Sequence, residues 1–349
     1  MSAVLPQSIE STKMFAEAAS ASDAVRAQLR HDAAAIAAIG AQLRRLAPRA
    51  VITCARGSSD HAATYAKYLI ETRAGVLTAS AAPSVSSVYG VSQDLRGCLF
   101  IALSQSGRSP DLLAAVAAAK AAGATILALC NSPDAPLIAA ADLVIELRAG
   151  VETSVAATKS FLATLAALIR LVAAWRQDAE LESSLDALPA QMDRSWALDW
   201  SVALAPLESA AHLYVVGRGL GLGAAQETAL KCKETCGLHA EAFSAAEVKH
   251  GPMALVGDGF PVLFFGQDDG TLDNTLAVAA EFRSRGARVW VAAPGASGTD
   301  ALPLPNNIAP IVTPLLAVQS FYRAASALAL ARGYDPDVPP HLNKVTETV

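Results

Sequence analysis

Two series of short apolar segments, separated by alanine-rich stretches, dominate the sequence. The first series is AVITCA (50–55), VLTAS (76–80), CLFIALS (98–104), TILALC (125–130) and DLVIEL (143–148). The second is HLYVVG (212–217), LHAEAF (238–243), PVLFFG (261–266), ARVWVAA (287–293) and NIAPIV (307–312). Continuous apolar strands that alternate with helices favour parallel sheets joined by right-handed crossovers and covered on both faces. The sequence therefore predicts an α/β fold with two parallel sheets.

The two series form an internal repeat. ITCARGSSDHAATYAKYLIE and YVVGRGLGLGAAQETALKCKE share a strand, an Arg-Gly turn and a helix, so two copies of one α/β sandwich are expected. Helical patterns cover 10–46, 154–176 and 178–195, and the boundary between the copies is placed near 178–200. The predicted organisation is a helical segment at 1–46, a first sandwich at 47–180, a second at 200–335 and an extended tail at 336–349.

Composition excludes several classes of protein. The chain has 349 residues, 53% hydrophobic and 17% charged, and a formal charge of −5, which gives no electrostatic footprint for nucleic acid. The uncharged stretch from Asp300 to Arg323 contains four prolines and makes a poor membrane helix. MSAVLPQSIESTK lacks the features of a signal peptide, so a cytoplasmic protein is expected. The five cysteines are predicted to be buried thiols, and no metal or other cofactor is expected.

Two turns of the first repeat are rich in small donors. Arg56-Gly57-Ser58-Ser59-Asp60 follows the first strand, and SQSGRSPD (104–111) follows the third. Ligands bind beyond the carboxyl ends of parallel strands, and hydroxyls with free N–H groups at a helix start bind phosphate without a lysine. Ordinary capping by Ser58 or Ser109 is the alternative. Both turns in one repeat favour an anion site.

Ionisable residues concentrate in the second repeat and the tail. Glu227, Lys231 and Glu234 share one helical face, although a solvent-exposed pair would have the same spacing. In EVKHGPMAL, His250 stands at a turn where it can move protons near neutral pH. In the tail, Leu342, Val345 and Val349 are predicted apolar anchors that hold Lys344 inward as a candidate imine-forming amine.

Together these motifs resemble the double-SIS sugar isomerases, the isomerase half of glutamine–fructose-6-phosphate aminotransferase and its stand-alone relatives. The resemblance runs from about residue 10 to the C-terminus. It implies two tandem SIS domains, each a flavodoxin-like three-layer α/β/α sandwich with a five-stranded parallel sheet. The motifs that carry it are ARGSS, SQSGRSPD, AGVETSVAATKSF, ALKCKETCGLHAEAF, EVKHGPMAL and HLNKVTETV.

The resemblance also implies a role for each matched residue. Glu234 matches the base that moves a proton between C1 and C2, with Lys231 and Glu227 as its polar neighbours. His250 matches the ring-opening histidine, which in the family reaches the partner subunit's active site, so a homodimer is implied. Lys344 matches the lysine that forms an imine with the open-chain sugar. The residues implied to hold the sugar phosphate are Ser59, Ser104, Gln105, Ser106 and Ser109, with Val155 nearby.

Departures from the family pattern narrow the expected reaction. Ala157 replaces a serine that is frequent in the aminotransferases, so one sugar contact is missing. No glutaminase domain precedes the isomerase region and no cysteine lies near Met1, so glutamine hydrolysis is not expected. The expected reaction is conversion of glucosamine 6-phosphate to fructose 6-phosphate with release of ammonia.

Three alternatives stay open from the sequence. A fructosamine-6-phosphate deglycase and a galactosamine-6-phosphate deaminase differ from the expected enzyme only in pocket details. A sugar-phosphate-sensing SIS regulator is the non-enzymatic alternative. The presence of Glu234, His250 and Lys344 together favours an enzyme.

Overall fold

The first sheet confirms the predicted parallel α/β pattern. A computed structural model describes residues 8–31 and 33–344. The strands of the first sheet, β1 to β5 in chain order, are Ala50–Cys54, Thr78–Ser80, Cys98–Ser104, Thr125–Cys130 and Leu143–Glu146. All pair in parallel in the order β2-β1-β3-β4-β5. Ala50 lies opposite Cys98 in β3, and Leu99 opposite Thr125 in β4.

The second sheet repeats this topology. Its strands, β6 to β10, are His212–Gly217, His239–Ser244, Pro261–Phe265, Arg288–Ala292 and Ala301–Leu302. They pair in parallel in the order β10-β9-β8-β6-β7. Four of the five predicted strands are confirmed. The prediction of a fifth at 307–312 is wrong, because β10 lies earlier and Pro310 leads into a helix.

Helices cover both sheets. The α-helices, α1 to α14 in chain order, are Lys13–Ala19, Ala21–Arg30, Ala33–Leu46, Ser58–Ala74, Ser84–Ser87, Pro110–Ala121, Pro136–Ala140, Lys159–Arg176, Ala179–Asp186, Leu188–Ala197, Ser201–Leu204, Gly221–Cys236, Leu272–Ser284 and Thr313–Ala331. Short 3₁₀ helices span Ile9–Ser11, Ala205–Ser209, Glu247–Lys249 and Pro252–Leu255.

Each sheet has an apolar layer on both faces. In β3, Phe100 and Ala102 pack with Leu112 and Val116 of α6. Successive side chains of a strand alternate between faces, so Leu99 and Ile101 point to the opposite side. There α8 packs against α3 and α4, which explains why this long helix is buried nearly all round. In the second sheet, Val262 and Phe264 pack on Phe282 of α13.

The chain divides into two compact units, each made of three separate stretches of the sequence. The unit that carries the first sheet takes residues 23–152, 159–186 and 343–344 from the described chain. The unit that carries the second sheet takes residues 8–22, 153–158 and 187–342. The short segment 153–158 and the chain start thus belong with the second sheet.

Candidate functional site

The serine-rich turns lie where the first sheet reverses its strand order. Since β1 and β3 are neighbours, the loops after them leave the same edge of the sheet at its switch point. Ser59 lies in the first turn of α4 and Ser104 ends β3. Gln105 and Ser106 form the following turn, and Ser109 directly precedes α6. The structure thus places these five sequence-predicted residues on two neighbouring loops.

An ion pair joins these two loops. Nε and Nη2 of Arg56, in the first loop, both lie 2.9 Å from Oδ2 of Asp111, in the first turn of α6. The other oxygen of Asp111 accepts a hydrogen bond from the backbone N–H of Leu112. Sequence reasoning missed this pair. An arginine in one motif and an aspartate in the other are the only signal that the sequence offers for it.

The second serine loop is held by its own hydroxyls and by a glycine. Ser104 Oγ accepts a hydrogen bond from the Gly107 N–H at 2.9 Å, and Ser106 Oγ accepts a longer one, 3.4 Å, from the Arg108 N–H. Gly107 has φ +62°, and a Cβ there would lie 2.6 Å from Ala135 Cβ. The Ser109 side chain makes no capping hydrogen bond to α6. Capping therefore does not account for Ser109.

In the segment AGVETSVAATKSF, the predicted helix at 154–176 starts later than expected, because α8 begins only at Lys159. The Glu17 carboxylate accepts hydrogen bonds from the N–H groups of Thr153 and Ser154 and from Thr153 Oγ1. Those bonds hold Thr153 and Ser154 outside the helix. The next residue, the predicted sugar neighbour Val155, is half-buried.

Glu227, Lys231 and Glu234 of α12 form a largely buried cluster rather than a solvent-exposed pair. Lys231 Nζ lies 3.4 Å from Glu227 Oε1 and also hydrogen-bonds Glu234 Oε2. Tyr322 of α14 donates a 2.9 Å hydrogen bond to the same oxygen of Glu227. The side chains of Lys231 and Glu227 are 0% exposed, whereas that of Glu234 is 21% exposed. Glu234 is thus the carboxylate of this cluster that faces outward.

The charge state of Lys231 follows from its surroundings. Burial on its own lowers the pKa of the Lys231 ammonium, but the carboxylates of Glu227 and Glu234 outweigh it and raise that pKa above its ordinary value. Lys231 therefore stays an ammonium at neutral pH. An ammonium cannot attack a carbonyl, so Lys231 is suited to supporting Glu234 electrostatically and unsuited to forming an imine.

Within the described residues, no hydrogen bond or ion pair joins His250 to this cluster. It follows the 3₁₀ turn Glu247–Lys249, where its N–H donates to Glu247 O at 2.8 Å. Gly251, with φ +132°, then turns the chain away. The His250 side chain is exposed, and among the described residues it has no side-chain hydrogen bond or ion pair. The structure does not bring it into the Lys231 cluster.

Lys344 forms an ion pair that is not predicted from the sequence. Its Nζ lies 3.2 Å from Glu152 Oε2, a carboxylate with a fully buried side chain. Leu342 is exposed, so it is not an anchor, and Val345 and Val349 lie outside the described residues. Sequence reasoning missed Glu152, although it stands within one of the quoted motifs.

The matching switch point of the second sheet is filled by its own side chains. Gln267 follows β8 and is almost fully buried. Its Nε2 donates to the Arg218 carbonyl oxygen at 2.8 Å and to Thr271 Oγ1 at 2.9 Å. Asp269 lies beside this network and accepts from Thr271. A self-bonded amide next to a carboxylate is a poor receptor for an anion, so this switch point does not repeat the free polar groups of the serine loops.

Cysteine and metal chemistry have little support from the described residues. All five cysteines are buried and unpaired, as predicted. Burial raises the pKa of the Cys54 thiol, close to the first serine loop, to about 12, so it is not a thiolate at neutral pH. From residue 8 to residue 344, Asp32 aside, no group of three or more His, Cys, Asp or Glu side chains is arranged to hold a metal ion. The same residues include no helix with the length and hydropathy of a membrane span.

The chain belongs to the SIS domain family, whose model matches residues 47–174 and 206–293. It is similar to the isomerizing glutamine–fructose-6-phosphate aminotransferase of Pyrobaculum aerophilum, with 37% identity over 86% of this chain. The enzyme of the same name from Symbiobacterium thermophilum is 34% identical over 87% of this chain. The chain spans about half the length of these relatives, 51% and 52% respectively.

Solved structures show the same fold over nearly the whole chain. A Silicibacter pomeroyi structure, described as that of a candidate phosphosugar isomerase, is 38% identical with a TM-score of 0.87, covering 93% of this chain and all of that one. The C-terminal domain of the glucosamine-fructose-6-phosphate aminotransferase of Francisella tularensis is 26% identical with a TM-score of 0.84, covering 94% of this chain and 98% of that one. These matches confirm the predicted fold of two five-stranded parallel sheets with helices on both faces.

Proposed function

We propose that the protein is an amino-sugar-phosphate isomerase that releases ammonia, converting glucosamine 6-phosphate to fructose 6-phosphate. The observation that carries the proposal is the Glu234 carboxylate, partly exposed and hydrogen-bonded to a buried ammonium. Such a group can accept and return a proton without leaving its place. The similarity to isomerizing aminotransferases supports sugar phosphates as the substrate class.

In this reaction Glu234 is the general base and acid. With the sugar ring open, the substrate has an aldehyde at C1 and an amine at C2. Glu234 takes the C2 proton and returns it to C1, while the C2 amine gives up one proton and the C1 oxygen gains one and becomes a hydroxyl. The product of this step is an imine at C2, which water hydrolyses to the ketose and ammonia. The ion pair with the Lys231 ammonium holds the Glu234 carboxylate in place for these proton transfers.

The serine loops are the proposed phosphate-binding residues. Ser59, Ser104, Gln105, Ser106 and Ser109 lie on loops that end neighbouring strands, where hydroxyls and N–H groups can replace the water around a phosphate dianion. Ser109 and Gln105 have no side-chain hydrogen bond within the described part of the chain. Their polar groups are therefore available to a ligand.

The remaining roles are proposed from the resemblance. His250 opens the sugar ring, and its exposure without a side-chain partner among the described residues suits a group that works in a neighbouring subunit of a homodimer. Lys344 forms an imine with the open-chain sugar, and Val155 contacts the sugar. The enzyme is proposed to act in the cytoplasm and to need no cofactor.

An ammonia-release assay over a matched panel of substrates tests the proposal. The panel contains glucosamine 6-phosphate, galactosamine 6-phosphate, a fructosamine 6-phosphate and unphosphorylated glucosamine. Glucosamine 6-phosphate should give the highest kcat/KM, and unphosphorylated glucosamine should give little turnover. A preference for fructosamine 6-phosphate or galactosamine 6-phosphate identifies the deglycase or the other deaminase. Saturable binding of sugar phosphate without turnover of any member contradicts an enzyme and favours a sensor.

A further inference from the structure

Lys344 forms an ion pair with Glu152, and the surroundings of Glu152 are unusual for a carboxylate. Its side chain is fully buried, whereas that of Lys344 is 25% exposed. One oxygen accepts the Ser160 N–H at 3.1 Å, and the other accepts the Ser160 hydroxyl at 2.6 Å. Both oxygens are therefore fixed in place by Ser160 as well as by the lysine.

Glu152 binds the start of a long helix. Ser160 is the second residue of α8, a helix of 18 residues, so the carboxylate lies at the positive end of the helix dipole. Two hydrogen bonds from Ser160 fix the carboxylate at that end of the helix. The structure places the Lys344 side chain, 192 residues further along the chain, against this carboxylate.

The described part of the tail before Lys344 is bound mainly through Asp337. Asp337 is bound by the N–H groups of Lys13 and Met14 at the start of α1, at 2.6 and 2.7 Å. Beyond it, Val338 and Leu342 are exposed and make no apolar anchor. The pair with Glu152 is a specific polar contact of the last described residue of the tail.

We infer that Glu152 is the positioning residue for Lys344. Its carboxylate binds the tail and fixes the position of the lysine amine in the substrate-free enzyme. Glu152 is not assigned contact with the sugar. The inference rests on the proposed function only for the role of the amine, which is to form an imine with the sugar. The docking itself can be measured without turnover.

The first test measures the accessibility of the Lys344 amine. The substrate-free full chain is acetylated at pH 8 with an amine-reactive reagent, and the rate at each lysine is read by mass spectrometry. Glu152→Gln should raise the rate at Lys344 by about fivefold, as expected for the loss of a partly exposed ion pair. The rate at Lys249, which pairs with Glu281 on the other unit, is the internal reference and should not change.

Ser160→Ala is the matched control variant. It removes the hydroxyl that binds Glu152 but leaves the charge, so Lys344 should be acetylated at close to the wild-type rate. If Ser160→Ala and Glu152→Gln raise the rate equally, Glu152 has a structural role in α8 and the inference is overturned. An unchanged rate in Glu152→Gln also overturns it. If Glu152→Gln does not fold, Glu152→Asp, which keeps the charge on a shorter arm, should give an intermediate rate.

The second test measures what docking does for the chemistry. Borohydride reduction in the presence of fructose 6-phosphate should trap an adduct at Lys344 of the wild-type protein. Glu152→Gln should lower the trapping rate and kcat together by about tenfold or more, as expected when a reacting group is misplaced, with KM changed less than about twofold. Trapping at the wild-type rate overturns the inference. If the wild type forms no adduct, the imine role in the proposed function fails, and the acetylation rates alone decide the docking.

Discussion

Arg56 and Asp111 form the ion pair that ties together the two serine-rich loops of the first sheet. The Asp111 side chain is 3% exposed, whereas that of Arg56 is 55% exposed. Coulomb attraction is stronger at such a half-buried pair than between two fully exposed charges. The pair therefore fixes the spacing of the loops that carry the proposed phosphate-binding hydroxyls.

A double-mutant cycle with Arg56→Met and Asp111→Asn tests this role. We expect a coupling free energy of about 1–2 kcal/mol in urea unfolding, below the value for a fully buried pair. Each single variant should raise KM for the sugar phosphate, because the loops lose their spacing. The exposed Arg96–Asp94 pair of the same unit is the matched control and should show no measurable coupling. Equal coupling in the two pairs would contradict a special role for Arg56.

The contacts that the sequence does and does not predict differ in their separation along the chain. Spacings of three and four residues on one helix are enough to predict that Lys231 meets Glu227 and Glu234. By contrast, 55 residues separate Arg56 from Asp111, 95 separate Glu227 from Tyr322 and 192 separate Glu152 from Lys344. Periodicity carries no information on such pairs, because the tertiary fold alone brings them together.

The strand predictions also succeed only where the local sequence carries a clear pattern. Continuous apolar runs with flanking helices predict strands correctly, because burial on both faces leaves a clear pattern. The fifth strand of the second sheet, Ala301–Leu302, has two residues and precedes a proline, so it leaves almost no pattern. The sequence misplaces the start of α8 for a related reason. Glu17, 136 residues before Thr153, accepts hydrogen bonds from Thr153 and Ser154 in the segment before the helix, a contact that a local pattern does not show.

Gly107 provides a test of the shape of the second serine loop. Gly107→Ala adds a Cβ at φ +62°, within 2.6 Å of Ala135 Cβ and 2.7 Å of Cys130 Sγ. Conformational strain and overpacking together should reduce the free energy of unfolding by about 2–4 kcal/mol. Gly150→Ala, at φ +70° with no atom within 4 Å of the added Cβ, should lose only about 1–2 kcal/mol. Chemical denaturation of both variants gives the comparison, and equal losses would show that the loop yields to the added methyl group.

Tyr322 supports the buried end of the Lys231 cluster through Glu227. Tyr322→Phe removes a hydrogen bond to a carboxylate and should cost about 1.5–3 kcal/mol of unfolding free energy. Tyr214→Phe removes a bond of 3.3 Å to the neutral Pro252 carbonyl and should cost about 0.5–1.5 kcal/mol. Urea denaturation measures both. A loss in Tyr322→Phe no larger than in Tyr214→Phe would argue that Tyr322 does not support the charge of Glu227.

The exposure of His250 leads to a prediction about assembly. If His250 serves the active site of a neighbouring subunit, two inactive variants, Glu234→Gln and His250→Ala, should regain activity when their subunits are mixed. Random exchange gives hybrid dimers in which one site has both wild-type residues, so about a quarter of the wild-type activity is expected at equal mixing. Native mass spectrometry confirms the exchange. Exchange without recovery would place His250 in the site of its own subunit.

The last prediction concerns Glu234 itself. Glu234→Gln preserves the size of the side chain and removes its capacity to take a proton. Loss of one acid–base group should lower kcat by about 10²–10⁴-fold. The serine loops are unchanged in this variant, so the affinity for sugar phosphate, measured by calorimetry, should stay within a few-fold of the wild type.

Two rates, measured together, separate loss of the base from general damage. Exchange of the C2 hydrogen with deuterium oxide, followed by NMR, should disappear along with ammonia release, since both require removal of the same proton. Glu241→Gln, which changes an exposed glutamate of β7 in the same unit, is the matched control and should keep both rates. If Glu234→Gln releases ammonia at near the wild-type rate, another group is the base. If exchange persists while ammonia release stops, Glu234 acts after the proton has left C2 and its role is that of an acid.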